Sequence, residues 1–285
     1  GPDHPDTLTS RNNLANALIG LGRYQEAADL NQHTLTDCER TFGPDHANTF
    51  NSRNNLAFAL NELGRYQEAA DLHQHSLTGL ERTLGPDHPH TLISRSNLAL
   101  ALSALGRHQE AADLHRHTLT DRERTLDPDH PHTFTSRSNL AFALNELGRH
   151  QEAADLHRQT LADRERTLGP DHRDTLASRN NLALALNGLS RYQEAADLHQ
   201  HSLTGFERTL GPDHPDTLTS CNNLAVALSA LGRHQEAADL HRQTLTDQER
   251  TLGPDHPDTQ LSRENLALAE AATARTRRRR WRQRR

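Results

Sequence analysis

GPDHPDTLTSRNNLANALIGLGRYQEAADLNQHTLTDCERTF, residues 1–42, is written again with few changes from residues 43, 85, 127, 169, 211 and 253. Pro-Asp-His returns at Pro2, Pro44, Pro86, Pro128, Pro170, Pro212 and Pro254, always 42 residues apart. Asn-Leu-Ala keeps the same period from Asn13 to Asn265, and Gln-Glu-Ala-Ala-Asp-Leu keeps it from Gln25 to Gln235. Six whole units and a seventh of 33 residues account for all 285. A period of this length means stacked supersecondary units, each too small to bury its apolar face alone.

Within a unit the punctuation is sparse. All 12 prolines fall in the Gly-Pro-Asp-His-Pro segments, which leaves two uninterrupted stretches per unit. In the first, Leu14, Leu18 and Leu21 recur at helical spacing with Ala15 and Ala17 beside them. Asp3 is placed to cap this helix, with Asp6 three residues on and Pro5 in the first turn, and Gly22 ends it. The second stretch predicts a helix from Tyr24 to Phe42 that buries Ala27, Leu30, Thr34 and Leu35 and stops at Gly43-Pro44. Each unit is a helical hairpin.

This hairpin resembles the tetratricopeptide repeat, whose usual unit is ~34 residues with a Leu-Gly turn and small residues in the second helix. Leu14, Ala15, Gly22, Tyr24 and Ala27 stand at the matching places, and the extra residues lengthen both helices. The Gly-Pro-Asp-His-Pro-Asp-Thr opening, the Asn-Asn-Leu-Ala centre and the Leu-Gly-Arg-Tyr-Gln-Glu-Ala turn are more similar to the kinesin-light-chain type, a variant also found in bacterial proteins. The resemblance implies an all-α, right-handed superhelical solenoid of antiparallel hairpins over residues 1–274, with repeats starting at 1, 43, 85, 127, 169, 211 and 253. It further implies a scaffold that binds peptides or proteins along a concave face built from the first helices.

Composition narrows the remaining classes. Only 33% of residues are apolar, 4% are aromatic, and the mean hydropathy is −0.87, lean for a single globular core. The regular spacing of those apolar residues argues against disorder. No run reaches the ~18–20 apolar residues of a membrane span, and no signal-peptide pattern opens the chain. The first residue is Gly1 in a repeat loop and Met is absent, so a fragment or processed chain is expected, with more repeats or another domain before it. All 32 basic residues are Arg, which excludes a P-loop lysine, a Schiff-base lysine and a Ser-Lys dyad. The two cysteines, Cys38 and Cys221, form no disulfide framework and fit a reducing, cytoplasmic compartment.

Charge is unevenly placed. The tail Arg275–Arg285 carries eight Arg and no acid, which leaves 24 Arg against 38 Asp and Glu in residues 1–274, a balance of −14. The tail is expected to be a solvated segment or a helix extension. Contact with nucleic acid or an anionic surface through it is the alternative function. The acidic body biases any partner toward basic segments.

No catalytic residue, metal site or cofactor is assigned. Gly-x-Gly-x-x-Gly, Gly-x-Ser-x-Gly, His-Glu-x-x-His and Cys-x-x-Cys are all missing. The 21 histidines fall mostly in files, one running His4, His46, His88, His130, His172, His214 and His256 in the loops, another His73, His115, His157, His199 and His241 on second helices. A metal needs ligands converging within ~2.0–2.2 Å, whereas stacked equivalents in a solenoid stand ~8–10 Å or more apart. The loop Asp-His pairs are expected to cap and fasten each turn between units. An enzyme using them is the remaining rival class, and loss of an activity with one loop histidine would establish it.

Asn13, Asn55, Asn97, Asn139, Asn181, Asn223 and Asn265 are the binding candidates. Each lies on a first helix at the margin of the apolar stripe, and an amide offers one acceptor and two donors to an extended peptide. In the family that the repeat resembles, such a ladder grips the ligand backbone. The alternative is that each Asn bonds to the neighbouring repeat; both can hold at once. Three places on lie Asn16, Phe58, Leu100, Phe142, Leu184, Val226 and Leu268, either core filler or apolar contacts of the same groove. Variation at Thr9, Asn51, Ile93, Thr135, Ala177 and Thr219 fits a groove whose chemistry changes along its length. The central Asn97, Asn139 and Asn181 are expected to matter more for affinity than the terminal ones. Arg11, Arg53, Arg95, Arg137 and Arg179 recur uniformly and are expected to pair with neighbouring acids.

The ends depart from the pattern. Glu270 replaces a leucine, and Thr273-Ala274 replaces the Leu-Gly turn, so the seventh unit is expected to be a single capping helix. The first helix is expected to expose one side of Leu8, Leu14 and Leu18, and hence to promote self-association. The overall expectation is a non-enzymatic protein-binding scaffold.

Overall fold

The computed structural model describes residues 4–283, apart from the side chains of Arg277 and residues 279–283. Among the described residues there are thirteen α-helices and no strand. The first helices of the repeats are α1 (Pro5–Gly20), α3 (Ala47–Glu62), α5 (Pro89–Ala104), α7 (Pro131–Glu146), α9 (Arg173–Gly188) and α11 (Pro215–Ala230). The second helices are α2 (Tyr24–Phe42), α4 (Tyr66–Leu84), α6 (His108–Thr125), α8 (His150–Leu168), α10 (Tyr192–Leu210) and α12 (His234–Thr251). The seventh unit is one helix, α13 (Pro257–Gln283), which runs through Thr273-Ala274 without a turn. The chain forms two compact units, residues 1–147 with α1–α7 and residues 148–285 with α8–α13. In each, every helix packs on the next, and α1 also touches α3 in the first unit and α9 touches α11 in the second. This is the arrangement of a helical-hairpin solenoid. No described helix is long and apolar enough to cross a membrane.

The helix starts correct one expectation. Asp3 lies outside the described residues, and the N-cap is the following histidine, in an extended backbone conformation. The backbone N–H of Asp6 donates to His4 Nδ1 at 3.3 Å, and the same bond recurs at His46, His88, His130, His172, His214 and His256. An imidazole nitrogen thus does what a Ser or Asp oxygen does in most caps, satisfying one orphan N–H of the first turn. It leaves the motif aspartate free for another task. Asp45 receives Arg82, Asp87 receives Arg124, Asp171 receives Arg208 and Asp213 receives Arg250. Each such ion pair joins the loop before a hairpin to the last turn of its second helix. Asp and His therefore cap and fasten, as the sequence suggests.

At the opposite end of each hairpin the chain turns through a left-handed residue. Gly22 has φ +72°, and Arg23 N–H returns to Leu18 C=O at 2.9 Å while Gly22 N–H returns to Ile19 C=O at 2.9 Å, the Schellman closure of a helix end. The helix itself ends at Gly20, two residues earlier than the glycine suggests. Repeat five makes the same closure with Ser190 at φ +59°. An L-residue there carries ~1–2 kcal/mol of steric cost. Ser190→Gly should raise stability by up to ~1 kcal/mol once the extra entropy of an unfolded glycine is subtracted. A urea midpoint lower than that of the parent protein would contradict it.

The core is thin and made of small and medium residues. Ala27, Ala69, Ala111, Ala153, Ala195 and Ala237 are fully buried on the second helices, facing Leu and Ala of the first ones. In the first unit one cluster joins Leu18, Leu35, Leu56, Ala57, Ala59 and Leu60. The first helix departs from its copies. Leu14 is 54% exposed where Leu56 is 3%, because no earlier helix covers α1 among the described residues, while Leu8 and Leu18 are buried, not exposed. The recurring arginines pair as expected: Arg11 with Asp37 at 2.6 Å, Arg53 with Glu39 at 2.7 Å, Arg95 with Asp121 at 2.6 Å, Arg179 with Glu165 at 2.7 Å. Glu270 receives Arg242 at 2.6 Å, so the polar replacement on α13 is satisfied at the surface. Both cysteines are free and buried.

Candidate functional site

The first helices bury most of their surface. On α3, Thr49, Phe50, Ser52, Arg53, Leu56, Ala57, Ala59 and Leu60 are buried, and this leaves a strip of Asn51, Asn55 and Phe58 at i, i+4 and i+7. Its equivalents are Ile93, Asn97 and Leu100 on α5 and Thr135, Asn139 and Phe142 on α7 in the first unit. In the second unit they are Ala177, Asn181 and Leu184 on α9, and Thr219, Asn223 and Val226 on α11. A variable residue, a constant amide and an apolar residue thus share one outward face in repeats two to six.

Phe58 is 49% exposed, Leu100 47% and Phe142 54%, and Leu184, Val226 and Leu268 are exposed as well. The core-filler alternative therefore fails for this row. Its residues stand between two buried pairs, such as Leu56-Ala57 and Ala59-Leu60, which already occupy the inward side of the helix. A row of half-exposed apolar side chains thus lies on the surface of the first helices, in a chain with few aromatics.

The amides divide into two rows with different work. Where the residue before a ladder Asn is itself an amide, as at Asn12, Asn54, Asn180 and Asn222, it ties repeats together: Asn12 Nδ2 donates to Ser52 Oγ at 3.3 Å, and Asn222 Nδ2 donates to Ser262 Oγ at 3.1 Å. Asn180 Oδ1 accepts from Ser220 Oγ at 3.3 Å and lies 2.9 Å from His199 Nδ1. In the ladder itself, Asn97 Nδ2 donates to Asn54 Oδ1 at 3.2 Å. Asn55, Asn139, Asn181, Asn223 and Asn265 are half-buried, Asn13 is exposed, and none has a hydrogen-bond partner among the described residues. Their donors and acceptors face outward with full capacity.

The second-helix histidines lie elsewhere, between helices. His73, His115, His157 and His199 are buried, and desolvation pushes each down from 6.5 to about 4, aided at His115 by the nearby Arg122 cation. His241 is pushed down by the same burial. They are neutral packing residues, one in each of successive repeats. Burial raises the Cys221 thiol, so it is no reactive nucleophile either. No group of three His, Cys, Asp or Glu among the described residues could hold a metal ion. The Arg-rich tail is helical through Gln283, but most of its side chains lie outside the described residues.

Comparison with known proteins agrees with this architecture. The family model of the tetratricopeptide repeat matches residues 6–82, 49–124, 113–166, 132–207 and 174–250. Among solved structures the chain is similar to a Podosopora anserina protein described as a kinesin light chain with nearly identical TPR-like repeats. That match has 34% identity and a TM-score of 0.61 over 70% of this chain and 95% of the other. BtubC (BKLC) from P. vanneervenii shares the fold at 19% identity and a TM-score of 0.61, over 88% of this chain and 94% of the other. So does NprR in complex with its cognate peptide NprX, at 15% identity and a TM-score of 0.59 over 90% of this chain and 70% of the other. No curated protein matches the chain.

Proposed function

This chain belongs to the tetratricopeptide repeat family, and from that premise we propose that it is a non-enzymatic scaffold whose first-helix strips hold an extended peptide or protein segment. The observation that carries this reading is the division of labour between the two amide rows. The four amides of the inner row, Asn12, Asn54, Asn180 and Asn222, are taken up by ties between repeats, whereas most of the ladder row has no partner and stands half-exposed beside Phe58 and Phe142 in the first unit and Leu184 and Val226 in the second. An extended backbone offers the donors and acceptors those amides lack, and the apolar row offers contact to alternate side chains. NprR, which shares the fold, is solved with a peptide bound. The balance of −14 over residues 1–274 favours a basic segment, with an attraction that weakens as salt screens it.

The test begins with a peptide selected from a basic library on the whole chain. Asn55→Ala with Asn139→Ala removes two amides that bind nothing in the protein, at ~0.5–1.5 kcal/mol each, so affinity should fall about 5- to 150-fold with an unchanged thermal midpoint. Asn97→Ala should lower both affinity and midpoint, since Asn97 also bonds to Asn54. Unchanged affinity in the double variant would remove the ladder from the binding face.

A further inference from the structure

Seven serines occupy one position in the repeats: Ser10, Ser52, Ser94, Ser136, Ser178, Ser220 and Ser262. Six are hydrogen-bonded within the protein, Ser10 by donating to the Asp6 carbonyl at 2.8 Å. Ser52 lies 3.4 Å from Cys38 Sγ and accepts from Asn12, Ser136 accepts from Arg122 Nη1 at 2.7 Å, and Ser178 accepts from Arg164 Nη1 at 2.7 Å. Ser220 donates to Asn180, and Ser262 accepts from Asn222. Ser94, 5% exposed, has no partner, and neither has the hydroxyl of Ser76, 2% exposed, in the preceding helix.

The residue that faces this serine from the second helix explains the difference. It is Cys38, Leu80, Arg122, Arg164, Phe206 and Gln248 in successive repeats. Arg122 and Arg164 reach the serine directly, and Phe206 is buried at its place in repeat five. Leu80 can neither reach Ser94 nor fill the space. What remains is a cavity of about 200 Å³ between α3, α4 and α5, walled by Phe50, Leu80, Leu84 and Ile93 with Ser76 and Ser94 on its lining. Leu84 and Ile93 are partly exposed at its mouth. Asp45 at the rim is engaged by Arg82.

We propose that this cavity is a binding site for a single neutral ring bearing a hydroxyl group, of the kind found in a phenol or a tyrosine side chain. An apolar cavity of ~150 Å³ accepts one benzene ring, so this one accepts a ring with a small substituent. The apolar walls, with the Phe50 ring among them, suit an aromatic face. Two hydroxyls that can each donate and accept are matched by a ligand hydroxyl that does both. Asn51, Asn54, Thr83 and His90 also line it, and a charged ligand would lose its hydration against the apolar walls while Asp45, the one carboxylate of the lining, is already engaged by Arg82. The site stands on the repeat comparison alone and does not depend on the Asn ladder.

The experiment titrates the whole chain with p-cresol, the tyrosine side chain as a free molecule, and with toluene, by calorimetry and ligand-observed NMR. Saturable binding of p-cresol is expected, several-fold tighter than toluene, with Ser94→Ala abolishing that preference. L80R copies the solution of repeats three and four, and the F50L/L80F swap copies that of repeat five at constant volume. Both should weaken p-cresol at least tenfold while the helical circular dichroism is retained. Acetyl-Ala-Tyr-Ala-amide separates the two sources: tighter binding than p-cresol assigns the pocket to a peptide's tyrosine, weaker binding to a free phenol. Absence of saturable p-cresol binding, binding unchanged in L80R, or equal binding of toluene would each overturn the assignment.

Discussion

Acidification from pH 6.5 to 4 should unfold this protein well before its carboxylates are neutralised. His73 and His115 in the first unit, and His157 and His199 in the second, are held down at about 4 by burial, against an ordinary value of 6.5. With the folded value depressed, the unfolded chain takes up protons first. Stability is therefore complete above 6.5, falls through the window and stops falling below 4. Each histidine contributes a slope of ~1.4 kcal/mol per pH unit, so each unit should lose ~3 kcal/mol per pH unit, enough to exhaust a typical domain's stability across the window. Urea midpoints measured between pH 7 and 4.5 check this. The chain supplies its own control, because Asn31 fills the same buried place in the first repeat. Exchanging one histidine for Asn should reduce the slope of its unit by about half; a pH-independent midpoint would show that the buried rings are not the acid-sensitive groups.

Overfilling the helix contact should be the most damaging single change. Ala195 on α10 is fully buried, and so is each of its five equivalents. Ala195→Leu inserts three carbons where neighbours leave no room, at a cost of ~3 kcal/mol, the upper part of the range for overpacked cores. The same exchange at exposed Ala230 should stay within ~0.5 kcal/mol. Thermal midpoints of the two variants give the contrast, and equal effects would mean that the helices separate easily.

The hairpin was legible because its signals are redundant. Proline or glycine stands near most helix ends, and the copies repeat the same signals with few exceptions such as Ser190. Aspartate is the commoner cap and so the one that sequence suggests, whereas the histidine caps from its own extended backbone conformation, which sequence does not display. Phe58 and its equivalents left two readings open in sequence, yet Leu56-Ala57 and Ala59-Leu60 on either side already saturate the inward face. That pairing was the signal that it points outward. The cavity at Ser94 could not be read, since it arises from the reach of Leu80 compared with Arg122 or Phe206, a matter of side-chain length in three dimensions.

The Asp–Arg clasps have a consequence for how such an array changes over generations. Asp45 and Arg82, or Asp87 and Arg124, belong to one hairpin, so a hairpin carries its own turn, its own cap and its own fastening. The ties between hairpins, from Asn12 to Ser52 and from Asn222 to Ser262, join a serine that every copy carries to an amide that four copies carry. Gain or loss of one whole copy in the gene therefore leaves the turn, the cap and the clasp of each remaining hairpin in place without any compensating mutation. Array length becomes a heritable variable that recombination between near-identical copies can adjust in single steps, and the reach of the binding face changes with it.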